Sequence, residues 1–250
     1  MANFIRNVET VLRAKHDIGL ALLCAAIYDC RMRARLSFCL AIALSCWSLS
    51  AAEPAKATNE GKELFNGKDL SGWTKTEFGG EGEVQVKDAK IIVNQGASLS
   101  GVHYTNAIPA RKDYQITLEA MKIEGDDFFC GLTFPVNDTQ CSLILGGWGG
   151  GVVGLSSIDG MDASENDTTK YIKFDKDKWY KIKVEVRPNR IKAWVDNDQV
   201  VDADITDHKI DVRPGGVELQ KPLGLCAYQT TAAWRNIRFT PLPPAKPAKP

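Results

Sequence analysis

The sequence predicts an all-β fold, an antiparallel β-sandwich or barrel forming a single domain, and three observations carry the prediction. Apolar and polar residues alternate with period two: Tyr114, Ile116, Leu118 and Ala120 share one face, while Gln115, Thr117, Glu119 and Met121 share the other. Tyr180, Ile182, Val184 and Val186 alternate in the same way with Lys181, Lys183, Glu185 and Arg187, and turn signals at Pro188-Asn189-Arg190 and Asp196-Asn197-Asp198 follow. No stretch between residues 61 and 240 shows an apolar stripe at helical spacing with capping residues. Many short strands with regular turns must bury one face each, which requires a second layer.

In chain order, the first 31 residues read as an upstream extension of doubtful status, with Met32 as the expected start. From there Arg33 and Arg35 form a basic start, Leu36 to Leu49 an apolar run, and Ser50-Ala51-Ala52 a small-residue cleavage site, so 32–52 reads as a secretory signal. A membrane anchor fits less well, because Arg31, Arg33 and Arg35 split the apolar stretches below the ~20 residues a spanning helix needs. Lipidation at Cys46 is a further alternative, with Ala43 where that pattern favours Leu. The expected mature chain is exported, periplasmic or extracellular, and has no membrane span.

Residues 53–60 are polar and Ala-rich and read as a linker. Leu64-Phe65-Asn66-Gly67-Lys68-Asp69-Leu70-Ser71-Gly72-Trp73 then places turn chemistry between large apolar side chains, a compact loop expected to close one end of the core. Further strands are expected at Glu83–Val86, Ile91–Asn94, Phe128–Phe134, Cys141–Leu145, Ile191–Val195, Gln199–Ala203, Leu223–Tyr228 and Trp234–Phe239. The Pro/Lys tail 241–250 suits an extended, disordered end.

Lysine plus arginine (31) balances aspartate plus glutamate (31), so nothing in the charge points to nucleic acid or an anionic membrane. Of seven cysteines, only Cys130, Cys141 and Cys226 lie beyond the leader. Three small buried residues is the plain reading, with a Cys130–Cys141 bridge as its rival.

The opening decapeptide resembles the start of the 3-keto-disaccharide hydrolase domain family. Lys178-Trp179-Tyr180-Lys181-Ile182-Lys183-Val184, the hairpin Ile191–Val201, and Pro222-Leu223-Gly224-Leu225 followed by Trp234-Arg235-Asn236-Ile237-Arg238-Phe239 are similar to its later strands. The resemblance implies a concanavalin-like jelly-roll sandwich over 61–240 and cleavage of glycosidic bonds in sugars oxidised at the 3-position. A 3-keto group acidifies the neighbouring C–H, so a base removes that proton, the glycosidic oxygen leaves and water adds. Such a site needs a base, an acid, and donors or a divalent cation on the ketone; no cofactor beyond such a cation is expected. A conventional glycosidase needs two carboxylates ~5–9 Å apart. The sequence departs from the family's pattern at Phe128-Phe129-Cys130-Gly131, at Thr139–Ile144 and at Cys226-Ala227-Tyr228-Gln229, where acids and a histidine are usual.

Among candidate site residues, Glu119 lies mid-strand on the non-core face and is the expected base, against the reading of an ordinary solvent-facing glutamate. Asp126 and Asp127 follow in the next turn, with Asp127 the second acid candidate; such pairs also simply solvate turns. His103, beside Tyr104, is a base or ligand candidate. Gly146-Gly147-Trp148-Gly149-Gly150-Gly151 leaves Trp148 as the loop's one side chain, suited to stacking on a sugar ring. Trp194, Tyr228 and Gln229 are expected in the same groove. Asp159, Asp162, Glu165 and Asp167 occupy a polar loop without calcium-loop spacing, and no metal ligands are assigned. The favoured reading is an exported hydrolase or lyase on oligosaccharides or glycosides; the alternative is a non-catalytic, lectin-like module that keeps its aromatic platforms without the acids.

Overall fold

The computed structural model describes residues 61–244; the leader, the linker and the last six residues lie outside them. Fifteen strands are present: β1 (Lys62–Glu63), β2 (Trp73–Lys75), β3 (Val84–Lys87), β4 (Lys90–Val93), β5 (Leu99–Tyr104), β6 (Tyr114–Gly125), β7 (Cys130–Val136) and β8 (Thr139–Gly146). The remainder are β9 (Val152–Ser156), β10 (Lys170–Tyr171), β11 (Trp179–Arg187), β12 (Arg190–Val195), β13 (Asp198–Asp204), β14 (Gly224–Tyr228) and β15 (Thr230–Pro241). They form two antiparallel sheets packed as a jelly-roll sandwich. The first runs β13-β12-β11-β6-β15-β4-β3, with β1 also on β15; the second runs β10-β9-β8-β7-β14-β5-β2. Among the described residues no helix is long and apolar enough to cross a membrane.

The alternating strands belong to the first sheet. On β6 the residues Tyr114, Ile116, Leu118 and Ala120 are buried and pair with Val186, Val184, Ile182 and Tyr180 of β11. Each large apolar side chain so buried contributes about 1.5–3 kcal/mol. Trp234 and Tyr114, both fully buried, anchor the centre. The Trp234 indole N–H donates to Phe129 O at 3.0 Å, and the Tyr114 hydroxyl donates to Pro135 O while its ring stacks on Phe239 at 4.4 Å. Burial therefore costs neither polar group its partner.

The opening loop closes one end of the core as expected. Leu64, Phe65 and Trp73 are buried, and the Trp73 indole N–H donates to Leu64 O at 2.8 Å. Asn66 Oδ1 accepts the Lys68 and Asp69 amides, and Asp69 Oδ1 accepts the Ser71 amide and the Asn66 side-chain N–H. These bonds, led by those from Ser71 and Asn66, hold the Asp69 carboxyl down at about 2.

The second sheet differs, because loops cover its outward face. Strands β5 and β9 were not anticipated: both of their faces are buried, so alternation disappears, and Gly101 and Gly154 break what are short apolar runs. Residues 157–169 and 205–222 lie over this face and bridge each other at Ile158 and Ile210. Val212 and Val217 pack on Leu99 and Cys226, and Ala163 packs on Ile144 and Val152. Gln220 Nε2 donates to Val102 O and Leu225 O, and its Cβ lies 2.6 Å from where a Cβ on Gly224 would stand. Only glycine fits beneath that side chain.

One expectation changes at the C-terminus, and one of the two cysteine readings is excluded. The tail does not start at Pro241, which ends β15 opposite Tyr114, and the Leu242 amide donates to Asp113 O at 2.7 Å. That bond makes Leu242 the donor to β6, so the nitrogen of Pro241 faces away from β6 and no ladder bond is lost. Cys130, Cys141 and Cys226 are free and buried. Cys130 faces Leu145 while Cys141 faces Phe134, four residues along the same ladder, or about 13 Å, too far for a bridge.

Candidate functional site

The site is built around the glycine loop that follows β8. Gly146, Trp148, Gly149 and Gly150 all take left-handed backbone angles, with φ of 82°, 49°, 85° and 101°. Glycine adopts these freely, but for a bulky residue such as Trp148 the conformation is strained, at about 1–3 kcal/mol. Asp127 holds the loop in place. Its Oδ2 accepts the Gly149 amide at 3.2 Å and its Oδ1 accepts the Phe128 amide at 2.7 Å. The Gly151 amide closes the turn on Gly147 O at 3.2 Å. Trp148 is thereby held outward, 42% exposed.

Trp148 forms one wall of a cleft of ≈ 400 Å³ that also contains Asp127, Phe128, Tyr228, Arg213 and Leu99. Phe128 and Tyr228 stack with centroids 5.9 Å apart. The Arg213 guanidinium lies 5.7 Å from the Trp148 ring centroid and pairs with Asp162 at 3.1 Å. Three aromatic rings beside one guanidinium and one carboxylate suit a ligand with apolar ring faces and hydroxyl edges. Both Asp127 oxygens already accept backbone N–H groups, so its carboxylate serves first to shape the loop.

A second cleft adjoins the first. It holds Asp126, Asp127, Gly149 and Gln229, with Gln95, Glu124 and Lys176. The structure thus brings together Asp127, Trp148, Tyr228 and Gln229 of the residues singled out in the sequence.

The family described as the 3-keto-alpha-glucoside-1,2-lyase-like domain matches residues 60–240. The chain belongs to this family. The chain is also similar, at low identity, to solved structures. Carbohydrate-binding module CBM66 from Bacillus subtilis is 15% identical with a TM-score of 0.46, over 68% of this chain and 95% of its own. The Bacillus licheniformis β-glucanase is 14% identical with a TM-score of 0.49, over 73% of this chain and 99% of its own. A β-1,3-glucanase from Mycobacterium marinum is 10% identical with a TM-score of 0.44, over 72% and 97%. A search of curated proteins finds no match.

In this member of the 3-keto-alpha-glucoside-1,2-lyase-like family, the other candidates lie apart from the cleft. Glu119 is on the outward face of the first sheet, opposite Arg235 of β15. A bulge there, with Asn236 at φ 55°, turns two residues towards it. Arg235 donates to Glu119 at 2.7 and 2.8 Å and Asn236 at 3.0 Å. Partial burial pushes the Glu119 carboxyl up, but these bonds outweigh it and hold the carboxyl below its ordinary value. Trp194 lies on the same face, with Lys183 Nζ 3.6 Å over its ring, and Arg235 covers Trp179 at 4.0 Å. His103 is on β5, paired with Gly224, and its Nδ1 lies 3.0 Å from Thr76 Oγ1. Glu119 and His103 therefore belong to different sheets, and neither lines the cleft that Asp127 does.

The departures from the family pattern lie on or beside β7, β8 and β14 of the second sheet, some facing the core, as Phe129, Cys130 and Cys141 do, and some facing outward. Ser142 Oγ bonds Thr133 Oγ1 at 2.9 Å, and Cys226 is buried under Val212 and Val217. The polar loop 156–171 spends its carboxylates on its own chain. Asp159 accepts from His208 Nδ1 at 2.6 Å and from the Lys209 amide at 2.7 Å, and Asp162 accepts from the Ser156 hydroxyl at 3.0 Å. Among the described residues no three His, Cys, Asp or Glu side chains are placed to hold a metal ion. Sequence reasoning missed Arg213 and the Pro214–Val217 wall of the cleft; Pro214-Gly215-Gly216 has the chemistry of a turn, a signal that could have located a loop but not where it packs.

Proposed function

We propose that the protein binds a saccharide, without cleaving it, in the cleft between the glycine loop and Arg213–Val217. The observation that carries this reading is the strained, outward Trp148, held by a carboxylate whose two oxygens both accept backbone amides. Trp148 and Tyr228 supply ring faces, and Arg213 supplies donors for hydroxyl oxygens. Strain maintained at an exposed aromatic in a cleft is the usual mark of pre-organisation for a ligand. Membership of the 3-keto-alpha-glucoside-1,2-lyase-like family supports carbohydrate as the ligand class.

Membership of a lyase-like family favours a second reading, cleavage of a 3-keto-glucoside, with Asp127 as the one carboxylate in the cleft and Glu119 and His103 acting elsewhere or not at all. The test incubates the purified protein with a 3-keto-glucoside, with and without added divalent cations, and separately titrates it with glycans. Saturable binding lost in Trp148→Ala, with no aglycone released, is the expected result. Turnover by wild type that Asp127→Ala abolishes establishes the lyase reading instead. Export, read from residues 32–52, is part of the proposal; the mature N-terminus, expected at Glu53, is read by terminal sequencing of the secreted protein.

A further inference from the structure

We infer that the saccharide is a linear chain of several sugar units, laid along a channel that wraps the glycine loop from Trp148 to Tyr171. This rests on the saccharide reading of the Trp148 cleft and extends it. The first two clefts share Asp127, and the second shares Asp126 and Gly149 with a third of ≈ 460 Å³ bounded by Tyr171 and Lys173. The three clefts thus adjoin one another in series around the glycine loop.

Gly149 stands where the second and third clefts meet. Nothing lies within 4 Å of the position a Cβ would take on it, so its bare backbone leaves the passage open. The two ends are aromatic and exposed, Trp148 at 42% and Tyr171 at 78%. The stretch between them is polar, with the Gln95 and Gln229 amides and Lys176. Ring faces at the ends and hydrogen-bonding groups between them suit successive sugar units.

The span also fits. Gly147 bridges Val152, which pairs with Tyr171, so Tyr171 stands two strand spacings from Gly147, roughly 10 Å. A single ring cannot touch both aromatics, whereas a short linear chain can. Tyr171 sits on the two-residue edge strand β10, where no packing requirement explains so exposed a ring.

The experiment titrates the full-length protein with cello-, laminari- and malto-oligosaccharides of about two to six units by calorimetry, alongside Trp148→Ala and Tyr171→Ala. Thermal melts confirm that both variants fold. For the ladder that binds, affinity rises about tenfold or more from the shortest to the longest member. Tyr171→Ala then weakens the longest about fivefold and leaves the disaccharide unchanged, whereas Trp148→Ala weakens both. Affinity that is flat with length, or insensitivity of every member to Tyr171→Ala, overturns the channel and leaves the saccharide cleft standing. Binding by no ladder overturns the cleft reading and the channel with it.

Discussion

Asp127→Asn tests whether the carboxylate sets the Trp148 loop. The substitution keeps size and shape and replaces one acceptor oxygen with an NH2 group. Oδ1 and Oδ2 accept from Phe128 and Gly149 at 2.7 and 3.2 Å, so one of the two amides then faces a donor. The shorter bond to Phe128 keeps the remaining oxygen, and Gly149 loses its partner. A hydrogen bond to a charged acceptor is worth about 1.5–3 kcal/mol, and exposure at Gly149 reduces that to about 1 kcal/mol. The left-handed Trp148 carries strain of at least this size, so the loop relaxes once the bond is gone. If the competent conformer falls in proportion, saccharide affinity drops about fivefold with little change in global stability. Calorimetric titration with the best-binding glycan, paired with a thermal melt, reads both quantities. Affinity within about twofold of wild type would show that the loop holds Trp148 without Asp127, and the reasoning would fail.

Glu119→Gln removes the ion pair with Arg235 across the first sheet, and is expected to cost about 1 kcal/mol of stability without changing glycan affinity. The Glu119 carboxyl is held below its ordinary 4.5, so its contribution is complete above that pH and is lost as pH falls through the lower folded value. The stability difference between wild type and Glu119→Gln in urea titrations therefore shrinks on acidification below 4.5, and a difference independent of pH would refute the pairing. Trp234→Ala empties the most voluminous fully buried site and frees Phe129 O; urea unfolding should show a loss of about 3–5 kcal/mol. Burial pushes the Cys141 thiol up to about 12 and Cys130 and Cys226 higher still. All three should resist iodoacetamide at about pH 8 in the folded protein and react once it is unfolded, as read by peptide mass mapping.

The strands of the first sheet were legible because their environment is asymmetric. One face meets the core and the other meets water, so Tyr114 to Met121 and Tyr180 to Arg187 write that difference into alternate positions. The opening loop was legible because its bonds are local: Asn66 and Asp69 act within three residues. Strands β5 and β9 were not, since both faces are covered, no alternation survives, and Gly101 and Gly154 break their short apolar runs. Trp148, Tyr228, Gln229 and Asp127 could be singled out by residue type, but Arg213 could not, because its partners Asp162 and Trp148 lie far away in sequence.

For the half-buried strands of the first sheet, such as β6 and β11, the sequence by itself determined which side chains point inward and which outward, because period-two alternation carries that property residue by residue. It also determined an antiparallel sandwich or barrel, since so many half-apolar strands have to pair their apolar faces. Which outward faces belong to the same site was decided only by the tertiary structure. Glu119 and Tyr228 both point away from the core, yet one is on the first sheet and the other on the second. Sheet membership depends on pairings such as Glu119 with Arg235, 116 residues apart, and on loops that fold back over one face alone. No local pattern encodes such a pairing, because its stabilisation comes from burial and hydrogen bonds that exist only once the chain has closed on itself.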